Sequence, residues 1–238
     1  MKVSFYFLFF IIGFLNCNAQ STFQNEIKKD TTTLVDNAYR EDQFYASITY
    51  NLLANKPDGV SQSGFSSGYH IGFIRDMPLN KRRNIAIGVG IGLSSNSYNQ
   101  TLLISKENDD FAYSVLDDNE TEFSKNKFAT YLVEFPIEFR WRTSTAKIYD
   151  FWRVYTGIKF GYVVLNSSKF DSSTGDLKFS NIDDFNKLQY GLTLSAGYSN
   201  FNLHLYYALN NIFNSDATLA GEQIEISSVR IGLIFYIL

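Results

Sequence analysis

Cysteine, histidine and proline are nearly missing from this 238-residue chain, which has 1 Cys, 2 His and 3 Pro. Each scarcity removes a class of function. One cysteine cannot build a disulfide framework or a cysteine-ligated metal site. Two histidines, His70 and His204, stand far apart with no metal-ligand spacing between them. Charge is also thin: 19% of residues are Asp, Glu, Lys or Arg, with a net charge of -3. No basic excess is available to neutralise nucleic-acid phosphates, so a nucleic-acid partner is excluded on electrostatic grounds. Long apolar runs are absent after the first 15 residues, which excludes membrane-spanning helices but not membrane-spanning strands.

What the chain has in excess is rings. Aromatic residues make up 17% of it, with 22 Phe and 16 Tyr. Residues 1–19 read as a secretory signal: Lys2 is the positive end, Phe5 to Leu15 the apolar stretch, and Cys17-Asn18-Ala19 the small-x-small cleavage site before Gln20. Lipidation of Cys17 is the competing reading, and Asn16 argues against it, because lipidation signals carry a small residue there. Cleavage after Ala19 leaves a chain without cysteine. Residues 20–42 read as a periplasmic tail, and 43–238 as one domain.

Over that domain the dominant pattern is period-two alternation, with almost no helical periodicity. In 85–94, Ile85, Ile87, Val89, Ile91 and Leu93 alternate with Ala86, Gly88, Gly90, Gly92 and Ser94. Such a segment suits a membrane barrel: the apolar side meets lipid, and the small side leaves lumen space for bulkier side chains of neighbouring strands. Gly88, Gly90 and Gly92 do not form a phosphate-binding turn, because no helix follows. Comparable segments are 43–53 (Tyr45, Ile48, Tyr50, Leu52), 65–73, 128–142, 152–165, 187–199, 201–210 and 226–238. The count is eight.

Connection lengths alternate. Longer ones follow the first, third, fifth and seventh segments; shorter ones follow the others, down to the tight turn at Ser199-Asn200. Long loops on one rim and short periplasmic turns on the other are the asymmetry of an outer-membrane barrel. Trp141 and Trp152 flank one short turn on the lipid side, where an interfacial aromatic girdle belongs. The expected fold is all-β: an eight-stranded antiparallel transmembrane β-barrel with a plugged polar interior.

The inward side carries Glu134, Glu138, Arg140, Arg142, Arg153 and Lys159. If Trp141 pairs with Trp152, Glu134 lies opposite Lys159, and Glu138 beside Arg140 and diagonal to Arg153. Eight strands enclose just enough room for their own side chains, so this reads as a paired charge network filling the lumen. His70 and His204 fall mid-strand facing inward, away from the outer rim where barrel lipases and proteases place a catalytic His, so no catalytic residue is assigned. Acidic runs at 107–110, 117–120 and 171–176 lack calcium-loop spacing and read, with their loops, as solvated external segments. No cofactor or metal is expected. Whether 101–105 and 111–116 form a hairpin stays open.

At the C-terminus, Arg230, Gly232, Phe235 and Ile237 resemble the last-strand signal that insertion machinery reads in outer-membrane barrels, although the chain ends in Leu238 rather than an aromatic residue. The run Tyr131-Leu132-Val133-Glu134-Phe135-Pro136-Ile137-Glu138, the turn Arg140-Trp141-Arg142-Thr143-Ser144-Thr145, then Phe151-Trp152-Arg153-Val154-Tyr155 and Gly161-Tyr162 resemble the PorT (SprT) family of outer-membrane barrels. The resemblance covers 43–238. It implies a non-enzymatic role in type IX protein secretion, with gliding motility in some bacteria, and partners among outer-membrane lipids, the barrel insertion machinery and other secretion components. It carries over no active site. Two alternatives stand beside it: a general outer-membrane barrel that binds a ligand or surface through its outer loops, and a lipid-modifying enzyme.

Overall fold

Alternating side chains leave a strand with two incompatible faces, and a closed ring of strands separates them completely. The computed structural model describes residues 42–62, 64–108, 110–116, 123–143, 151–173 and 175–237. The signal segment 1–19 and the tail 20–41 lie outside the described residues. Thirteen strands follow in chain order: β1 (Gln43–Ala54), β2 (Ser67–Pro78), β3 (Ile85–Asn99), β4 (Leu102–Glu107), β5 (Asp110–Val115), β6 (Phe123–Arg142), β7 (Trp152–Ser172), β8 (Gly175–Ser180), β9 (Leu188–Tyr198), β10 (Phe201–Ala208), β11 (Thr218–Leu219), β12 (Glu222–Gln223) and β13 (Ser227–Ile237).

Eight of them, β1, β2, β3, β6, β7, β9, β10 and β13, pair antiparallel with their neighbours in chain order, and β1 pairs with β13 to close the ring. The protein is a closed eight-stranded antiparallel barrel. Segments 79–84 and 199–200 lie on the rim that also holds Gln43, Arg142, Trp152 and Ile237, and residues 144–150 between β6 and β7, with Ser144 and Thr145 of the PorT-like turn, lie outside the described residues; the described parts of 55–66 and 209–226 lie on the other rim. By the asymmetry of such barrels the first rim is periplasmic and the second external.

Burial is inverted relative to a water-soluble protein. Phe201 is 72% exposed and Leu203 68%, while Arg140 and Arg142 are fully buried. The outward apolar belt has a height. From Trp141 to Tyr131, its top outward apolar residue, β6 climbs about 33 Å, or about 25 Å along the membrane normal at a typical tilt. That matches the apolar band of an outer membrane. Trp152 packs on Tyr198 at 5.4 Å and Phe44 on Phe73 at 5.1 Å near the periplasmic border.

The glycines of β3 make lumen space. A Cβ on Gly88 would stand 2.7 Å from Arg140 Cδ, and one on Gly92 would collide with the Tyr45 hydroxyl. Several strands run past the limits their alternation suggests. β2 continues from Phe73 to Pro78, β3 to Asn99, β7 to Ser172, and β6 begins at Phe123. Tyr45 faces the lumen and is 3% exposed, out of step with Ile48, Tyr50 and Leu52, because the outward set of β1 starts at Phe44.

One irregularity matters for function. Register shifts between Tyr131 and Leu132 on β6, where Leu165 and Val163 of β7 are the successive partners. Val164 and Leu165 are both outward there. Below this bulge the even residues of β7 face out; above it the odd ones do.

Candidate functional site

The lumen holds the charges in two layers. Next to the periplasmic rim, Asp76 of β2 accepts hydrogen bonds from Arg140 Nη1 at 2.9 Å, Arg142 Nη1 at 2.8 Å and Arg142 Nη2 at 2.7 Å. Arg140 also donates to the Gln43 side-chain carbonyl, and its Nε is 3.6 Å from Glu138 Oε2. Its guanidinium lies 4.1 Å from the centre of the Tyr155 ring, and that of Arg153 lies 4.5 Å from the Phe151 ring. This arrangement is a floor of stacked guanidinium and aromatic planes.

Above it, Glu134 is the hub. His70 Nδ1 is 3.1 Å from its carboxylate, Lys159 Nζ 3.2 Å and Arg230 Nη1 3.5 Å. Arg230 covers the Tyr206 ring at 4.2 Å and donates from Nε to Ser228 Oγ at 3.2 Å. Thr49, Asn51, Asn96 and Ser94 continue the polar chain upward by side-chain hydrogen bonds. Among the described residues, three buried carboxylates (Asp76, Glu134, Glu138) face five buried cations (Arg140, Arg142, Arg153, Lys159, Arg230). Desolvated charges on this scale persist only when paired, and removing one partner of a buried pair typically costs about 3–5 kcal/mol.

The strand register differs from the one expected. Trp141 opposes Val154, not Trp152, and Arg142 opposes Arg153. Glu134 therefore stands opposite Gly161 and reaches Lys159 diagonally, while Glu138 opposes Gly157 and lies away from Arg153. The shift is two residues, so every side chain keeps its face. Three partners lie outside the expected network: Asp76, beyond the end of the 65–73 segment; Arg230, which the sequence places on the inward side of the last segment and in the terminal signal; and His70, which it places inward without a partner.

Trp141 is 40% exposed and Trp152 59%, both outward beside the 143–151 connection. In the terminal strand, Phe235 faces out against Phe201 at 6.1 Å, Ile237 is exposed, and Gly232 lets the β1 backbone come close. His204 Nδ1 is 2.8 Å from Ser195 Oγ, but the pair is 3% and 1% exposed in mid-lumen.

The external end is closed by the opposite chemistry. Lumen-facing Leu53, Tyr98 and Phe128 at the tops of β1, β3 and β6 pack with loop residues Val60, Leu102, Ile104, Ile182, Phe185, Ile212, Phe213, Ile224 and Ile226. Phe213 is fully buried, with ring centres of Phe185 at 4.6 Å, Phe128 at 5.5 Å and Tyr113 at 5.7 Å. Strands β4 and β5 form the hairpin that the sequence left open, turning at Asn108 in the left-handed region (φ 50°). The Tyr113 hydroxyl donates to Asp184 Oδ2 at 2.8 Å; burial and that carboxylate hold its pKa above the ordinary phenol value. The described outer loops thus include a packed apolar cap beside exposed acidic residues such as Glu107, Asp110 and Asp176; the run 117–120 lies outside the described residues. Paired apolar residues within the loops, such as Leu102-Leu103-Ile104 and Ile212-Phe213, were the available signal.

A barrel of this height, with lipid-facing apolar residues and a filled lumen, agrees with the match of residues 18–214 to the model of the outer membrane protein beta-barrel domain. The chain belongs to that family. Its place is therefore the outer membrane, and β13, past the end of the match, completes the ring. No curated protein matches the sequence. Among solved structures, the chain is similar to Ail, the attachment invasion locus protein of Yersinia pestis, with 16% identity, TM-score 0.31, and coverage of 83% of this chain and 99% of Ail. Ail in complex with the heparin analogue sucrose octasulfate gives 15% identity and TM-score 0.36 over the same shares. A mutant Rh. blastica porin gives 8% and 0.20, covering 84% of this chain and 100% of the porin.

Proposed function

We propose that this barrel is a non-enzymatic structural or assembly component required for type IX protein secretion, with gliding as a further output where the system drives it. The observation that carries the reading is where the PorT-like residues fall. Arg140, Arg142, Phe151, Arg153 and Tyr155 build the buried floor at the periplasmic mouth, beside the short 143–151 connection. They shape the rim that periplasmic partners meet, and none of them presents a reactive group to solvent. The lumen is filled with paired side chains, which suits a scaffold better than a conduit. Ser195 and His204 are sealed between floor and cap, which favours a role without catalysis.

Signal-directed export through residues 1–19 and insertion through the terminal strand belong to the same reading. Partners are outer-membrane lipids, the insertion machinery and other secretion components. Deleting the gene and measuring export of type IX cargo tests it: cargo retained in the periplasm, with the outer membrane intact, is the expected result. Normal export would sink the proposal.

A second reading draws on one feature of the external end. A cleft of about 580 Å³ between the β4–β5 hairpin and β8 is lined by Lys106, Phe111, Lys178, Phe179, Asp184 and Asp216. A barrel that binds a ligand through its outer loops would use this cleft. Trimming 98–126 would then abolish binding while sparing secretion.

A further inference from the structure

Above the apolar belt, β6, β7 and β8 continue as a small sheet beyond the membrane. Lys127 directly opposes Lys169, and Lys169 directly opposes Lys178. All three share the outward face, because the bulge at Val164–Leu165 turns the odd residues of β7 outside. Like charges directly across strands are destabilising. The next row, Lys125, Asp171 and Asp176, holds two carboxylates, so four lysines face two aspartates. Asp171 is taken by Lys169 Nζ at 2.5 Å, with Lys125 Nζ at 4.0 Å. Among the described residues, neither Lys127 nor Lys178 has a carboxylate within salt-bridge distance.

The height of the row identifies the missing anion. Lys127 is four residues above Tyr131, and Lys169 four above Leu165, the last exposed apolar residues on these strands. Four residues are about 13 Å of strand, or about 10 Å along the normal, which lies in the headgroup layer. Ser97 of β3, with Ser167 and Ser180, flanks the row with hydroxyls, while Asn99 beside Lys127 spends its side-chain N–H on the Phe65 carbonyl at 2.6 Å. Asp183, Asp184 and Asp216 line the cleft that Lys178 borders from its β8 edge, none of them within salt-bridge distance of it, and farther round the external rim stand Glu222 and Glu225.

We propose that Lys127, Lys169 and Lys178 form a binding site for the phosphate groups of the phosphorylated glycolipid in the outer leaflet, with the flanking serines meeting its sugars. The site orients the barrel's β6–β8 side toward that lipid and is independent of any role in secretion.

The test uses the full chain in nanodiscs, titrated with diphosphorylated lipid A and with the same lipid after phosphatase treatment. Wild type binds the phosphorylated form, in a salt-sensitive way. The triple variant Lys127→Gln, Lys169→Gln, Lys178→Gln binds it about a hundredfold more weakly, while Lys81→Gln with Arg82→Gln on the periplasmic turn leaves binding unchanged. Heat-modifiable migration in gels verifies that each variant is folded. Equal binding of the two lipid forms, or undiminished binding by the triple variant, would overturn the proposal. So would displacement of the lipid by inorganic phosphate at the lipid's own concentration, or loss of an acidic co-purifying protein with lipid retention unchanged.

Discussion

The lumen and the external cap are equally buried and chemically opposite. In mid-lumen Glu134 is ringed by Lys159, Arg230 and His70; in the cap Phe213 is ringed by Phe128, Phe185 and Tyr113. The difference follows from what lies outside each region. Around the lumen the strands have already spent their apolar residues on lipid, so period-two alternation leaves polar side chains inside, where they must satisfy one another. Beyond the membrane the surroundings are water, and the loops bury apolar side chains as any soluble domain would. Burial alone does not specify chemistry; the medium on the far side of the backbone does.

The contrast can be broken at either end. Asp76→Ala should have the largest effect, because it leaves the Arg140 and Arg142 guanidiniums buried without their shared carboxylate. A loss of about 4–5 kcal/mol is expected, read as a lower urea midpoint for the whole barrel in lipid vesicles. Glu134→Ala should follow closely at about 3–5 kcal/mol; replacing it by Gln should recover part of the loss through retained hydrogen bonds, and refolding yields would rank the two. Phe213→Ala should cost about 3–4 kcal/mol, but locally: added protease should cut within 98–116 or 209–226 while heat-modifiable migration of the barrel stays intact. If Phe213→Ala unfolds the barrel, cap and barrel are one cooperative unit and not two. Gly88→Ala should cost about 1–3 kcal/mol by pressing on Arg140 and Ile74. Trp152→Ala is the mildest, about 1 kcal/mol, and intrinsic fluorescence would show the loss of one interfacial ring.

The same contrast explains what could be read from the chain. The membrane strands were legible because lipid imposes a strict alternation: Ile85 to Leu93 against Ala86 to Ser94 carries the information locally. Register was less legible. A two-residue slip between β6 and β7 preserves every face, so alternation could not separate Trp141–Trp152 from Trp141–Val154. Asp76 is hidden from the pattern because Arg75, an outward charge, interrupts the apolar alternation just where the strand continues past Phe73. The cap was invisible to periodicity altogether. Leu53, Tyr98, Ile182 and Phe213 meet only in three dimensions, across separations that no local pattern encodes.

The barrel's central property is that its inside is sealed and its outside faces lipid, and labelling of single cysteines in native outer membranes tests it most directly. Ser195→Cys lies in mid-lumen and Leu203→Cys on the lipid face. The account predicts that a water-soluble maleimide, supplied from both sides of the membrane, labels neither, and that a lipid-soluble maleimide labels only Leu203→Cys. Rapid labelling of Ser195→Cys by the water-soluble reagent in intact, folded barrels would contradict it.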